Sequence, residues 1–557
     1  MVPIITGLFD LDLGLHTWAA LFITTTFVLL SIAWCTQTRQ SPSAIPYIGQ
    51  PPGRTGFSLR TYYRYYTDCS GLMREAYDKY LRHGKPVWIP GLGARKELIL
   101  PNTSMKWALA QPSHLLNHRA GLLEVDFPRY LLGDDFFLND PWHGHLVKAE
   151  LVPVLDHVCA VMNIELEASF DDYFGNDTEE WREIDVLETV RKIIGRASSR
   201  FTVSEPLCRN ESYIKHVYDM VDKTHLSTGL LLLAPRILHP ILGPLIRHLA
   251  TRRFTKMSRM IEAEYHARLA SLQHKPKSPP KHEPNDFFQS ILRYAQDHRP
   301  HELNLQSMTR RLFLANLGSM HRTAFLTTNV LLNIIDSDRQ HNTIAVLRAE
   351  IARVLRADGI RETDMSSWNR PRTSRLFRTE SVARETMRLQ SFDNRSTICK
   401  VLGEGVVLGD GVTFPRGARV SFLGHPAQID KGVYEDAETF DPFRFSRPFE
   451  AAQTAVEAGT NEDGKATAKT KKAPAGLGAQ SFVSTGPYHL PFGHGRTACP
   501  GRWLVDFEVK MIVAYAVSRY ELEFPPEYGG KRPGVTWMVE AMLPPKGAKI
   551  RVRRRKV

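Results

Sequence analysis

The sequence predicts a mainly α protein with small β-sheets, preceded by one N-terminal transmembrane helix. Three observations carry this. Helical periodicity, with apolar residues three and four apart, recurs between Asn102 and Leu303, as around Leu146 to Met162 and Ile184 to Ile194. A long apolar helix follows from about Leu305 to Ile335, and the segment SVARETMRLQSF reads as another. Short strand-like runs separated by turn residues, such as GEGVVLGDGVTFPRGARVSFL, come only after Phe392.

Ahead of this body, Leu15 to Cys35 contains no Asp, Glu, Lys or Arg. At a rise of about 1.5 Å per residue it can cross a hydrocarbon core of roughly 30 Å. Trp18 and Trp34 fall near its ends, where indoles favour the interface, and Arg39 and Arg54 follow on the C-terminal side, which faces the body of the chain toward the cytosol. A cleaved signal peptide fits less well. Asp10 and Asp12 stand where a basic region belongs, and no small-residue cleavage site follows. The organisation is therefore a lumenal N-terminus (1–14), an anchor helix (15–35), a Pro/Gly-rich linker (36–57) and one large domain (58–557). Within that domain KPKSPPKHE (275–283) is a polar loop, and the low-complexity insert at about 451–479 reads as a mobile surface loop. The basic tail KIRVRRRKV reads as a solvated or membrane-touching terminus.

Composition excludes some classes and leaves others open. Of the 557 residues 43% are hydrophobic and 24% charged, the balance of a globular protein rather than a disordered or fibrous one. The formal charge of +13 suits a nucleic acid, an anionic membrane face or an acidic protein partner equally. The six cysteines, Cys35, Cys69, Cys159, Cys208, Cys399 and Cys499, include no CxxC pair, so neither a disulfide framework nor a zinc site is indicated.

Cys499 has a local motif. In PFGHGRTACPG, Pro491 to Gly501, glycines at 493 and 495 let a backbone loop pass close to a flat ligand, and Pro500 with Gly501 turns the chain into a helix. A thiolate at a helix start is stabilised by the helix dipole and by amide donors. Upstream, Glu385 and Arg388 stand three residues apart on one helical face and can pair. Between the two lies FDPFRF, residues 440–445.

With these three segments in this order, the chain resembles the cytochrome P450 family, nearly throughout after Ile45 and most strongly from Ser381 to Phe524. Seven specified positions in the cysteine loop would coincide by chance in roughly one in a billion windows. The resemblance implies a P450 fold with haem b (iron protoporphyrin IX) between a distal and a proximal helix, and Cys499 as the iron ligand. It places Phe492, Gly493, Gly495 and Gly501 in the haem loop and joins Arg444 to Glu385 and Arg388 in a buried charge network. Arg395, in a strand, takes the place of a cation that faces a haem propionate. His145 and Lys148 stand near the family's Trp-x-x-x-Arg helix, where Trp142 matches and Leu146 replaces the Arg. Thr497 stands where the family has Arg or His, and Arg496 beside it is the substitute.

The distal helix departs further. Gly318-Ser319-Met320-His321-Arg322-Thr323 aligns with the segment whose acid and first Thr handle the protons of dioxygen activation, and those two positions hold His321 and Arg322. Thr323 lies about 100° further round the helix. His321 can relay protons near neutral pH, whereas Arg322 stays charged and suits an anionic or enolate-like group. The resemblance implies a monooxygenase or oxidase in the endoplasmic reticulum membrane. Its electrons come from NADPH-cytochrome P450 reductase, with cytochrome b5 as an optional second donor, and its substrate is a largely apolar small molecule. No nucleic acid is involved. The variable stretches 102–140, 204–249, 391–397 and 536–543 would line the pocket. An unusual rearrangement (ring expansion, isomerisation or dehydration) and a catalytically silent haem-binding scaffold are the alternatives. Segments such as FVSTGPYHLPFGHGRTACPGR resemble fungal members that tailor secondary metabolites.

Overall fold

The computed structural model describes residues 45–273, 284–362, 364–409, 411–451 and 481–556. The predicted anchor and nearly all of the polar loop and the low-complexity insert lie outside the described residues. Among those described, no helix is long and apolar enough to cross a membrane.

Long helices form where apolar spacing and caps coincide. Asp185, Asn210, Asp286 and Asn304 each accept the amide three residues on, opening Val186–Thr202, Glu211–Leu233, Phe287–His298 and Leu305–Ser319. Each cap satisfies an orphan donor and is worth about 1 kcal/mol. The first of these helices starts at Val186, not Ile184. Ile184 instead sits in the strand Arg182–Asp185, whose partner strand claims its backbone. The largest core packs these helices against Trp142–Tyr173, His321–His341, Thr343–Ala357, Phe377–Leu389 and Arg502–Arg519. The last, beginning directly after Pro500 and Gly501, runs through the centre with Val509 to Val517 buried.

A second core lies around a five-stranded sheet in the spatial order Val87–Gly91, Arg95–Ile99, Arg419–Leu423, Arg395–Val401, Leu116–Asn117. Arg95–Ile99 and Arg419–Leu423 pair in parallel, and the other neighbours are antiparallel. Strands before Phe392 correct the sequence expectation. Val87–Gly91 is buried at every position, so it lacks the alternation that betrays a half-exposed strand. Residues 45–57, expected in a free linker, belong to this body. Ile45, Tyr47, Ile48 and Phe57 are buried, and the Trp88 amide donates to the Pro46 carbonyl at 2.9 Å.

The basic tail is likewise structured. Lys549–Arg554 is the central strand of a three-stranded sheet between Arg182–Asp185 and Tyr520–Glu523. Its charges are absorbed locally: Arg551 pairs with Glu523 at 2.8 Å, Arg554 with Asp171 at 2.7 Å and Arg555 with Glu521 at 2.9 Å. A neighbouring strand and the helix Trp142–Tyr173 supply these acids, so the tail alone could not reveal them.

Candidate haem-thiolate site

The helix Phe377–Leu389 carries Glu385 and Arg388 on its buried face, both without solvent exposure. Arg388 donates from Nε and Nη2 to the two Glu385 oxygens, each at 2.7 Å, a bidentate fork. Arg444, from FDPFRF, donates from Nε to Glu385 Oε1 at 3.2 Å. The two arginines also bind the intervening loop, Arg388 through the Gln428 and Ala437 carbonyls and Arg444 through the Glu435 carbonyl. One buried carboxylate thus ties residues 428–444 to the helix. Gln428 extends the tie toward the cysteine loop, its Oε1 accepting the Leu490 amide at 2.9 Å.

The cysteine loop follows. Gly493 and Gly495 adopt positive φ, +68° and +59°. A Cβ at 495 would stand 2.9 Å from Leu109 Cδ1, and one at 493 would stand 3.3 Å from the Thr497 carbonyl oxygen, so both positions demand glycine. The Cys499 amide donates to the Phe492 carbonyl at 2.8 Å, and the Phe492 ring packs edge-on against Phe482. Gly501 immediately precedes the helix Arg502–Arg519, so Cys499 sits at its N-terminal approach.

Cys499 is half-buried, and the surrounding protein desolvates its thiol. Burial pushes its thiol up, while the Gly501 amide, the Arg322 charge, Arg502 and the Arg502 amide pull it down. The donor set and the glycine cradle fit a flat macrocycle whose metal takes one thiolate.

The distal helix divides at Met320 into Leu305–Ser319 and His321–His341. The Thr323 hydroxyl donates to the Ser319 carbonyl at 2.7 Å, a local bond that competes with the backbone ladder at the break. His321 is buried and turns toward Glu211–Leu233. Its Nε2 lies 3.5 Å from Asp222 Oδ1, and its ring packs 4.8 Å from His225 and 4.3 Å from Phe325. Burial, His225 and two arginines push it down to about 3, so it is neutral at physiological pH. Arg322 points differently: its Nη1 is 2.7 Å from Asp393 Oδ2 and its side chain is 59% exposed.

The cations expected at the propionates are dispersed. Arg395 is enclosed, held by Glu540 at 2.6 Å and Glu97 at 3.2 Å, with Glu97 also paired to Arg419. Burial lowers its pKa, but the two carboxylates more than offset this and the net shift is upward. Its charge is therefore committed to protein acids. Arg496 is exposed and donates to the Gln111 carbonyl at 3.0 Å. His145 and Lys148 are exposed on Trp142–Tyr173. Trp142 is turned to Glu302 at 2.8 Å, within a buried pair of Glu302 and Arg311. Sequence reasoning missed Asp126, Asp222, His225 and Asp393, acids and a histidine that sit by the distal helix with no motif to mark them.

The cytochrome P450 family model matches residues 148–552. The chain belongs to the cytochrome P450 family. Among its relatives are cytochrome P450 monooxygenase pbrC of Penicillium brasilianum, 46% identical, and cytochrome P450 monooxygenase astC of Aspergillus terreus, 45% identical, each alignment covering 92% of both chains. Cytochrome P450 monooxygenase tenB of Beauveria bassiana is 38% identical over 95% of both. This P450 is accordingly an enzyme of the monooxygenase class with haem as its cofactor.

Two outcomes follow. Glu385→Ala leaves two buried guanidinium groups without their carboxylate, which costs about 3–5 kcal/mol. Urea unfolding should record that loss and the Soret absorbance per protein should fall; unchanged haem content would show the network dispensable. His321 binds protons more weakly folded, at about 3, than at its ordinary 6.5. Its contribution to stability is thus full above pH 6.5 and is lost as pH falls toward 3. His321→Gln should flatten that part of the acid limb in urea titrations, and an unaltered limb would mean His321 is not held neutral.

Proposed function

We propose that this P450 oxidises a largely apolar small molecule, a secondary-metabolite intermediate of the kind fungal relatives tailor, using electrons from NADPH-cytochrome P450 reductase with cytochrome b5 as an optional second donor. The single observation that carries the reading is the placement of Cys499 in a loop whose Gly493 and Gly495 take positive φ, directly before the helix Arg502–Arg519. The reading also places the enzyme in the endoplasmic reticulum membrane through the 15–35 segment, with its catalytic domain in the cytosol.

The residues divide the work. Haem, when bound, supplies dioxygen activation, and thiolate ligation pushes electron density toward O–O cleavage. Cys499 supplies that thiolate; the Gly501 and Arg502 amides and the Arg322 and Arg502 charges favour its anionic form. Phe492, Gly493 and Gly495 shape the loop for close approach. The Glu385 network fixes the wall behind it. Arg496, His145 and Lys148 are exposed and remain the groups available to propionates.

A second reading has its own support. Neutral His321 faces Asp222 and the Thr323 hydroxyl is spent within the helix, so neither reproduces the usual acid and alcohol. That departure suits an oxidation ending in rearrangement, such as ring expansion, isomerisation or dehydration.

The test is the carbon-monoxide difference spectrum of the reduced protein, followed by turnover under labelled dioxygen. A thiolate-type red-shifted band, abolished in Cys499→Ala, is expected; folded wild type lacking it defeats the haem-thiolate reading. Product carrying one labelled oxygen supports oxygenation, and oxidised product without label favours the rearrangement.

A further inference from the structure

A cavity of about 590 Å³ opens between the helices Trp142–Tyr173, Arg370–Thr373, Phe377–Leu389 and Arg502–Arg519 and the segment that carries Phe445 and Phe449. That volume accommodates a small organic molecule. Its described lining includes no residue of the cysteine loop or of the distal helix, so it is separate from the haem-thiolate site. Five aromatic side chains, Phe377, Phe445, Phe449, Trp503 and Phe507, contribute to the wall. The Phe377 and Phe449 rings meet at 3.8 Å, and Trp503 stays 38% exposed. At the floor the buried Lys510 reaches two carboxylates, with Nζ 2.8 Å from Glu380 Oε2 and 2.8 Å from Asp506 Oδ1. Glu380 has a further donor in the Phe482 amide at 2.6 Å. Asp506 has Lys510 as its one ion-pair partner among the described residues. Burial and Glu380 push Asp506 up against the pull of Lys510 and Arg370, and the net shift is upward. At the rim, Arg370 and Asp156 face each other loosely at 3.5 Å.

We propose that this cavity is a second ligand site, for an organic cation: a substituted ammonium group on an aromatic or branched apolar body, held between the aromatic wall and Asp506. The site goes beyond oxidation at the haem, and its test does not depend on that reading.

The lining selects the sign of the charge. Three carboxylates, Asp156, Glu380 and Asp506, stand against two cations, Arg370 and Lys510. The excess lies at the floor, where one ammonium serves two acids and Asp506 is the less well supplied of them. A ligand cation beside Asp506 gives each carboxylate a partner of its own. An anion would meet the uncompensated charge instead, and a neutral molecule would leave it as it is. Cations just outside the lining are engaged elsewhere: Arg378 with Glu450 at 2.8 Å, and Arg384 with the Ser481 and Ser484 carbonyls. The aromatic wall works in the same direction, because the electron-rich faces of Trp and Phe attract a cation within about 6 Å of the ring centre. Trp503, Asp506, Phe507 and Lys510 all belong to the first half of the helix Arg502–Arg519, so an occupant touches the helix that follows Cys499 without entering the haem-thiolate site.

The experiment titrates the full-length haem-loaded enzyme by calorimetry with three probes of similar size: benzyltrimethylammonium, 2-methyl-1-phenyl-2-propanol and 3-phenylpropanoate. A quaternary ammonium has no lone pair and cannot ligate iron, so its binding is not confused with coordination at the haem. The cation should bind at least about tenfold more tightly than the alcohol, with the anion weakest. Asp506→Asn should remove that tenfold preference while leaving the alcohol within about twofold. Ser374→Trp places a large ring at an exposed lining position and should abolish binding of the cation. Equal affinity for cation and alcohol, tightest binding of the anion, an unchanged cation affinity in Asp506→Asn, or cation binding that survives Ser374→Trp overturns the proposal. Far-UV circular dichroism checks the fold of each variant. If Asp506→Asn does not fold, the order of the three probes on the wild type and the effect of Ser374→Trp still decide.

Discussion

One buried carboxylate organises the proximal half of this molecule. Glu385 accepts from Arg388 on its own helix and from Arg444 nearly sixty residues later, at 2.7 and 3.2 Å. Two buried cations on one anion would be costly if left unpaired, so the loop that brings Arg444 has little freedom to lie elsewhere. Its carbonyls complete the hydrogen bonding of both guanidinium groups, and Gln428 carries the constraint to Leu490, one residue before the cysteine loop. The backbone that carries Cys499 is thus tied to the Glu385 network at a distance.

How much of this was legible in the sequence follows the physics of each element. The cysteine loop was legible because close backbone approach demands glycines at fixed offsets, and both adopt positive φ. Glu385 and Arg388 were legible because a helix makes residues three apart neighbours. Strand Val87–Gly91 escaped because a strand buried on both faces shows no alternation. The basic tail misled because the acids that neutralise it lie on Tyr520–Glu523 and at the end of Trp142–Tyr173, distances that charge counting along the chain cannot bridge. Arg395 was read as a strand cation facing a haem propionate, but Glu540 and Glu97, the partners that hold it, are far away in sequence.

The distal side shows the same contrast between residue type and placement. His321 and Arg322 were evident as replacements for an acid and an alcohol, yet the sequence could not say that adjacent residues would diverge. The helix break at Met320 and the 100° step between neighbours send the imidazole toward Asp222 and the guanidinium toward Asp393. Burial then keeps the histidine neutral, while the arginine retains a permanent charge near the sulfur. Asp393 meets Arg322 from a segment some seventy residues away, brought to it only by the fold.

Iron K-edge X-ray absorption of the purified ferric protein, compared between wild type and Cys499→Ser, tests the central claim most directly. The account predicts a single sulfur scatterer beside the porphyrin nitrogens in the wild-type first shell and its loss in the variant. A wild-type shell of nitrogen and oxygen alone, in correctly folded protein, would contradict it.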